Sequence, residues 1–508
     1  MERLIVMIVR VDDEKPESLT EIWQRPLPQV DLEKLTADRY LDEMEDVVAD
    51  VGKEMERRLF VEQWQLTDKA FVLRYYNNHA RADGVLLDGF DFVKVATRFG
   101  VVHLARQVCE NFKNDHHVLP GNDGLPIHQG HITTRGLQEW ICILPQDVSF
   151  ATAQRLLGWM TGDPKTVSET QIRRWVASHG QLIRASERTE VQALFALESL
   201  SGLQAQMSPV KEIRHPAAWT LMHNESIERS INQQNSSRPE GISSGDWERV
   251  LKARSNEQEQ QKLRRLGPEV RPGEVVAGTD DVCVRRPESR SWLELRTACV
   301  RTSKGIRYLS GSPADVLQQL YLLLVLCGGI NNKLTLLGDG ARWISGFFTE
   351  RLANWSSSEM ILDWYHLAKK CSELTSMICN GIILKKSLLG KLICRLWIGD
   401  VESALSILQD YRPQAKNLEA LDTLITYLSN RKSFLPNYKQ RRVNRQFIGS
   451  GFAEKANDLI VSRRQKHQGM HWSQDVSDGL AALRTLVLNQ GWDQYWQQGQ
   501  VLPLAVSV

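Results

Sequence analysis

The 508-residue sequence contains no Cys-x-x-Cys pair. Its eight cysteines, at 109, 142, 283, 299, 327, 371, 379 and 394, are scattered without a dense framework, as reduced thiols are and a disulfide scaffold is not. A long apolar run is also missing. The longest, YLLLVLCGGI at 321–330, is half the ~20 residues that a membrane span requires. The N-terminal LIVMIV is too short for a signal-peptide core and has no small-residue cleavage site. Excess charge is absent too, with 63 basic against 61 acidic residues. These absences argue against a secreted scaffold and a helical membrane protein, and lead to the expectation of a globular, cytoplasmic chain. An apolar content of 42% over this length supports two to four domains, each with its own core.

The even charge total conceals a gradient. Residues 1–60 hold 9 basic and 16 acidic residues, whereas 431–466 hold 10 basic and 2 acidic. The basic end is the one suited to phosphate.

Patterning divides the chain into five parts. Residues 1–130 open with a short alternating stretch and continue into acidic, helical patterns in which Leu32, Leu35, Tyr40 and Met44 recur at helical steps, so a mainly helical region is expected. In 131–223, SFATAQRLLGWM with Ser149 as N-cap, a Gly-Asp-Pro turn, and SETQIRRWVASHG with Ser168 as N-cap and Gly180 as stop outline a helix-turn-helix presenting Arg173 and Arg174 to DNA. Residues 224–272 are rich in Gln, Ser, Asn and Arg and read as a polar linker. Residues 273–490 begin with three strand patterns, EVVAGTDDVCVRR, SWLELRTACVRT and GIRYLSGS, followed by helix, strand (KLTLLGDG), helix and strand (EMILDWYH). That is the element order of a ribonuclease H-like domain, here with a helical insertion at about 367–430. Residues 491–508 form a tail. The expected class is α/β, or α+β overall.

This element order asks for an acid in the first strand, another at the end of the fourth, and a third on a covering helix. Asp280, Asp339 and Glu454 meet those positions, at separations of 59 and 115 residues, with Ser450 available to cap the last helix. Three converging carboxylates repel unless a cation neutralises them, and hard oxygen ligands select Mg²⁺ or Mn²⁺, with two ions as the natural product. Asp281 rivals Asp280, but strand alternation aims the two at opposite faces, so only one can serve. Around Glu454 lie Arg441, Arg442, Arg445, Arg463, Arg464 and Lys466, suited to DNA phosphates, and Tyr438, Trp472 and Trp343 could stack on unpaired bases. Cys109, His116, His117, His128 and His131 invite a zinc reading, but His-x-x-His without paired cysteines is a poor ligand set.

The segments VVAGTDDVCV…SWLEL, LTLLGDGARWI, MILDWYHLAKK and GSGFAEKANDLIVSRRQKHQGMHWS resemble, in order and wording, bacterial insertion-sequence transposases of the Kra family, relatives of the Mutator-type DDE transposases. The resemblance covers roughly 270–490, with a weaker likeness over about 120–180. It implies metal-dependent cleavage of DNA at element ends and transfer of the freed 3′-hydroxyl into target DNA, by a dimer or larger assembly on double-stranded DNA at the nucleoid. It assigns the metal to Asp280, Asp339 and Glu454, although the family's first acid is followed by glycine where this chain has Asp281. It also gives Asp363 and His366, the D-x-x-H of DWYH, a part in arranging the cleaved end. Two other classes stay open: a catalytically silent, domesticated DNA-binding protein, and a ribonuclease H-like nuclease without strand transfer.

Overall fold

The computed structural model describes residues 4–12, 15–27, 40–111, 116–125, 127–128, 131–196, 268–287, 291–466 and 470–504. All of the expected linker except 268–272 lies outside the described residues. The protein is a mixed α/β structure that divides into two compact units, Met1–His179 and Gly180–Val508. Among the described residues no helix is long and apolar enough to cross a membrane.

The first unit has more strand than its acidic helical patterning led one to expect. Strands β1 (Ile5–Asp12) and β2 (Lys15–Pro26) form an antiparallel pair, followed by a 44-residue helix α1 (Tyr40–Asp83). A five-stranded sheet then forms from β3 (Val85–Thr97), β4 (Gly100–Asn111), β5 (His116–Val118), β6 (Ile127–His128) and β7 (His131–Thr133), in the order β5-β4-β3-β7-β6. The β3–β4 ladder shifts register between Leu87 and Phe90, and this bulge breaks the two-residue alternation that would have revealed β3. Trp64 of α1 packs with Val95, Val102, Leu104 and Ile132 beneath the sheet.

Helices α2 (Arg135–Ile143), α3 (Phe150–Thr161) and α4 (Glu169–Phe195) follow. Ser149 caps α3 by accepting from Thr152 N, and Gly162 ends it in the left-handed region at φ +67°. Arg57 donates to the carbonyls of Thr161 and Gly162 at 3.0 and 3.2 Å, satisfying acceptors that the helix end leaves open. At the start of α4 a reciprocal capping box forms, with Gln171 N to Ser168 Oγ at 3.3 Å and Ser168 N to Gln171 Oε1 at 2.9 Å. Gly180 does not stop this helix, which continues to Phe195.

In the second unit, β8 (Glu274–Arg285), β9 (Trp292–Arg301) and β10 (Ile306–Gly311) pair antiparallel. Helix α5 (Pro313–Leu326), β11 (Lys333–Gly338), α6 (Arg342–Phe347) and β12 (Ser358–Leu362) follow, and β11 runs parallel to both β8 and β12. The sheet order is β10-β9-β8-β11-β12. One face, with Val275, Ala277, Leu334 and Leu336, packs on α5 and α6 through Leu320, Leu324 and Ile344. The other face, with Val276, Leu337 and Ile361, packs on α7 (Trp364–Ile378), α8 (Ile382–Trp397), α9 (Val401–Tyr411) and α10 (Leu418–Asn430). Each large aliphatic side chain buried here contributes roughly 1.5–3 kcal/mol. Helix α11 (Tyr438–Val443) leads to α12 (Gly451–Asn457), and α13 (Gln474–Leu488) and α14 (Trp492–Gln498) close the unit.

Gly180 and Gly479 explain each other, since a Cβ on Gly180 would lie 2.3 Å from the Gly479 Cα. Because the obstructing atom is backbone, Gly180→Val is expected to destabilise by about 3 kcal/mol, the upper end of overpacking losses. Urea unfolding measures this, and an unchanged midpoint would contradict the close approach of α4 and α13.

Candidate functional site

The parallel ladder of the second unit determines where the acids fall. Leu337 pairs with Gly278, an offset of 337 − 278 = 59, and Gly338 pairs with Leu362, an offset of 362 − 338 = 24. The first offset equals the separation of Asp280 and Asp339, and the second equals that of Asp339 and Asp363. The three aspartates therefore occupy one cross-strand row, at or just beyond the C-terminal ends of β11 and β12 and within the second half of β8.

Strand alternation separates the two adjacent acids of β8. Asp281 is bonded in bidentate fashion by Arg296, at 2.6 Å to Nε and 2.9 Å to Nη2, and the Arg296 guanidinium lies 3.4 Å above the Trp343 ring. Its carboxylate is thus committed. Asp280 shares its side of the strand with Gly278, where helix α12 approaches so closely that a Cβ would meet Ala453 Cβ at 2.8 Å. Its Oδ2 accepts from Asn457 Nδ2 at 2.8 Å and its Oδ1 from Asp281 N at 2.9 Å. Burial raises the Asp280 pKa above the ordinary carboxylate value; these two hydrogen bonds oppose the rise, and the charges of Asp339 and Asp281 add to it. Asp339 is exposed, and its Oδ1 accepts from Ala341 N at 2.8 Å in a tight turn.

Asp363 caps α7 by accepting from His366 N at 2.9 Å, and its other oxygen takes both Ser450 N and Ser450 Oγ, the latter at 2.8 Å. Ser450 therefore does not cap the Glu454 helix; it ties the start of that helix to the end of β12. Asp363 is buried with its oxygens engaged, so of the D-x-x-H pair only His366 reaches the surface. His366 Nδ1 is a buried atom with no hydrogen-bond partner among the described residues, 3.4 Å from Asp363 Oδ1 and 3.7 Å from Glu454 Oε1. Asp363, His366 and Glu454 are, among the described residues, the group of three potential ligands whose donor atoms lie within 4.8 Å of one another. Asp280, Asp339 and Glu454 together do not meet that separation. After α12 the chain widens into a π-helical turn, Asp458–Ser462, from which Ser462 Oγ donates to Asn457 Oδ1 at 3.1 Å. Asn457 went unrecognised in the sequence, where its signal was its place three residues after Glu454, on the same helix face.

The basic and aromatic candidates separate by burial. Arg442, Arg463 and Lys466 are exposed, as are Arg173 and Arg174 on α4 of the first unit, where Arg173 pairs with Glu169 at 3.3 Å and stacks on Phe150. Arg441 is a correction: it is buried, donating to both Glu359 oxygens at 2.9 and 3.1 Å and to Phe447 O, and cannot meet a phosphate without breaking that pair. Trp472 is another, 4% exposed with Nε1 donating to Gln465 O, and Tyr438 is fully buried with its hydroxyl on Leu362 O. Both belong to the core and offer no face to a base. Arg445 sits at φ +56° and pairs with Glu269 at 2.9 Å, while Arg464 lies over the Trp472 ring.

In the first unit Cys109 is buried, which pushes its thiol pKa up, with the Asp68 charge adding to the rise; this is the reverse of what a zinc thiolate needs. His116 and His117 are exposed, and the side chains of His128 and His131 lie outside the described residues. No protein-family model matches the chain, and no curated protein matches it.

The Asp280 shift has a definite sign. Because its folded pKa lies above 3.8, the folded state holds the proton more tightly, and stability present below that pH is lost as pH rises through the folded pKa. Asp280→Asn is therefore expected to raise the melting temperature at pH 7 in metal-free buffer, with the difference shrinking toward pH 3 to 4, as thermal denaturation across a pH series would report.

Proposed function

We propose that the chain is a DDE-type DNA transposase of the bacterial insertion-sequence kind, related to the Kra family, and that its second unit is a ribonuclease H-like catalytic domain. The observation that carries this reading is the single row of Asp280, Asp339 and Asp363 across three neighbouring strands, with the Glu454 helix lying against it at Gly278. The strand order, with two antiparallel strands on one side of β8 and two parallel strands on the other, supports the same fold assignment.

The donors fit a hard divalent cation. Asp280 is held back from ionisation by burial and by the neighbouring charges, a penalty that a cation removes. Asp280, Asp339 and Glu454 would hold Mg²⁺ or Mn²⁺, as one or two ions, which supply charge neutralisation at the phosphoryl group and lower the pKa of the attacking hydroxyl. Completing the set requires Glu454 to turn from His366 toward Asp280. Asn457 fixes the direction of the Asp280 carboxylate, and the Asp363–Ser450 bracket fixes where the Glu454 helix begins. Cleavage by water leaves a 3′-hydroxyl. In transfer that oxygen bonds to a target phosphorus while the target's own 3′-oxygen departs.

Double-stranded DNA is the partner that this reading requires, at element ends and at the target. Arg442, Arg463 and Lys466 offer exposed positive charge on the segments before and after the Glu454 helix, and the α3–α4 hairpin with Arg173 and Arg174 is the proposed helix-turn-helix reader. Pairing of two ends calls for a dimer or larger assembly at the nucleoid.

The test is incubation of the full chain with duplex DNA carrying the ends of its element, with Mg²⁺ or Mn²⁺. Cleaved and joined strands are expected, and Asp339→Ala and Glu454→Ala should each abolish both; cleavage surviving in both variants would reject the assignment. Free ends without joined products would identify a nuclease, and tight binding without nicking a silent DNA-binding protein. In a salt titration of DNA binding, Arg463→Ala and Lys466→Ala should each reduce the slope of log K against log salt by about 0.9. Arg441→Ala should leave that slope unchanged and lower the unfolding midpoint instead.

A further inference from the structure

A cavity of about 750 Å³ opens on the α5–α6 side of the sheet, lined by the end of α4, one side of α5, and α6 with the turn after it. Its walls are aromatic. Phe195 and Tyr321 stack nearly parallel, 6° apart at 6.2 Å, and Trp343, whose ring also meets the Arg296 guanidinium, is half-buried opposite them. Its rim is basic: Arg342 and Arg351 are both exposed, and neither pairs with an acid among the described residues. Glu350 adds an acceptor at the same rim. Arg342 follows Asp339 by three residues, so their Cα atoms lie at most ~11 Å apart.

We infer that this cavity receives one unpaired nucleotide of the DNA strand held at Asp339. A base is the occupant that this chemistry suits. The aromatic lining suits a planar base, the exposed guanidinium groups suit the flanking phosphates, and the volume falls within the range of small-ligand sites. Glu350 can accept from an exocyclic amino group. An aliphatic or uncharged occupant would leave both arginines without a counter-charge. The inference rests on the proposed action on DNA, and of the three aromatics first considered for base stacking it retains Trp343 alone, since Tyr438 and Trp472 are buried.

Gly346 provides a clean test, because it lines the cavity and a Cβ added there meets nothing within 4 Å. Gly346→Phe should therefore fill the space without disturbing the core. The full chain, in metal-free buffer, is titrated against a single-stranded oligodeoxynucleotide carrying one 2-aminopurine. The wild type should quench the 2-aminopurine fluorescence on binding. Gly346→Phe should abolish the quenching and weaken binding by about tenfold or more, the loss expected for one stacked base. Gly346→Ala should behave as wild type, and Arg342→Glu, at the exposed rim, should weaken binding comparably without relying on repacking. Wild-type quenching and affinity in both Gly346→Phe and Arg342→Glu would overturn the inference. Metal-dependent cleavage, measured in parallel, separates the two claims. Cleavage with unaltered quenching in the plugged variant removes the nucleotide pocket and leaves the transposase reading intact, whereas pocket-dependent quenching without any cleavage does the reverse.

Discussion

The acid row depends on one constraint, the in-register parallel pairing of β11 with β8 on one side and β12 on the other. Hydrogen-bonded ladders admit no partial offset, and a slip of one residue would turn every side chain of a strand to the opposite face. A one-residue slip of β11 would carry Leu337 out of the insertion-side core and bury polar Thr335 on the wrong side, which the apolar packing on both faces forbids. Core packing thus fixes the register, and the register fixes where Asp280, Asp339 and Asp363 stand.

On this frame the two faces of the sheet have different work. The face toward α5 and α6 takes Asp281 into an ion pair with Arg296, backed by Trp343. The face toward α12 takes Asp280, whose side-chain donor among the described residues is the Asn457 amide. Adjacent acids of one strand therefore have separate surroundings, Asp281 an ion pair and Asp280 the helix that carries Glu454. At the end of β12 the buried Asp363 carboxylate holds Ser450 by its backbone N and its hydroxyl, and so anchors the start of the helix that carries Glu454.

Much of the second unit could be read from the sequence, because its strands are apolar and bounded by turn residues, and because Asp339 and Asp363 directly follow two of them. Helix-capping chemistry was equally legible at Ser149 and Ser168, since a cap is a local interaction. What could not be read depended on partners distant in sequence. Arg441 looks like a surface cation until Glu359, 82 residues earlier, is placed beside it. Gly180 looks like a helix stop until Gly479 arrives against it, and Ser450 looks like a cap until Asp363 claims its hydroxyl. The sheet of the first unit escaped notice because the bulge in β3 disrupts its alternation, and because the long α1 dominates the local pattern.

Glu454 and Asn457 lie one turn apart on a helix of only seven residues, with the wider π-turn immediately behind them. A shift of the whole helix that carries the glutamate toward the row also changes the amide's hold on Asp280. Through that amide, one short helix ties together the placement of two acids that lie 174 residues apart in the chain (454 − 280).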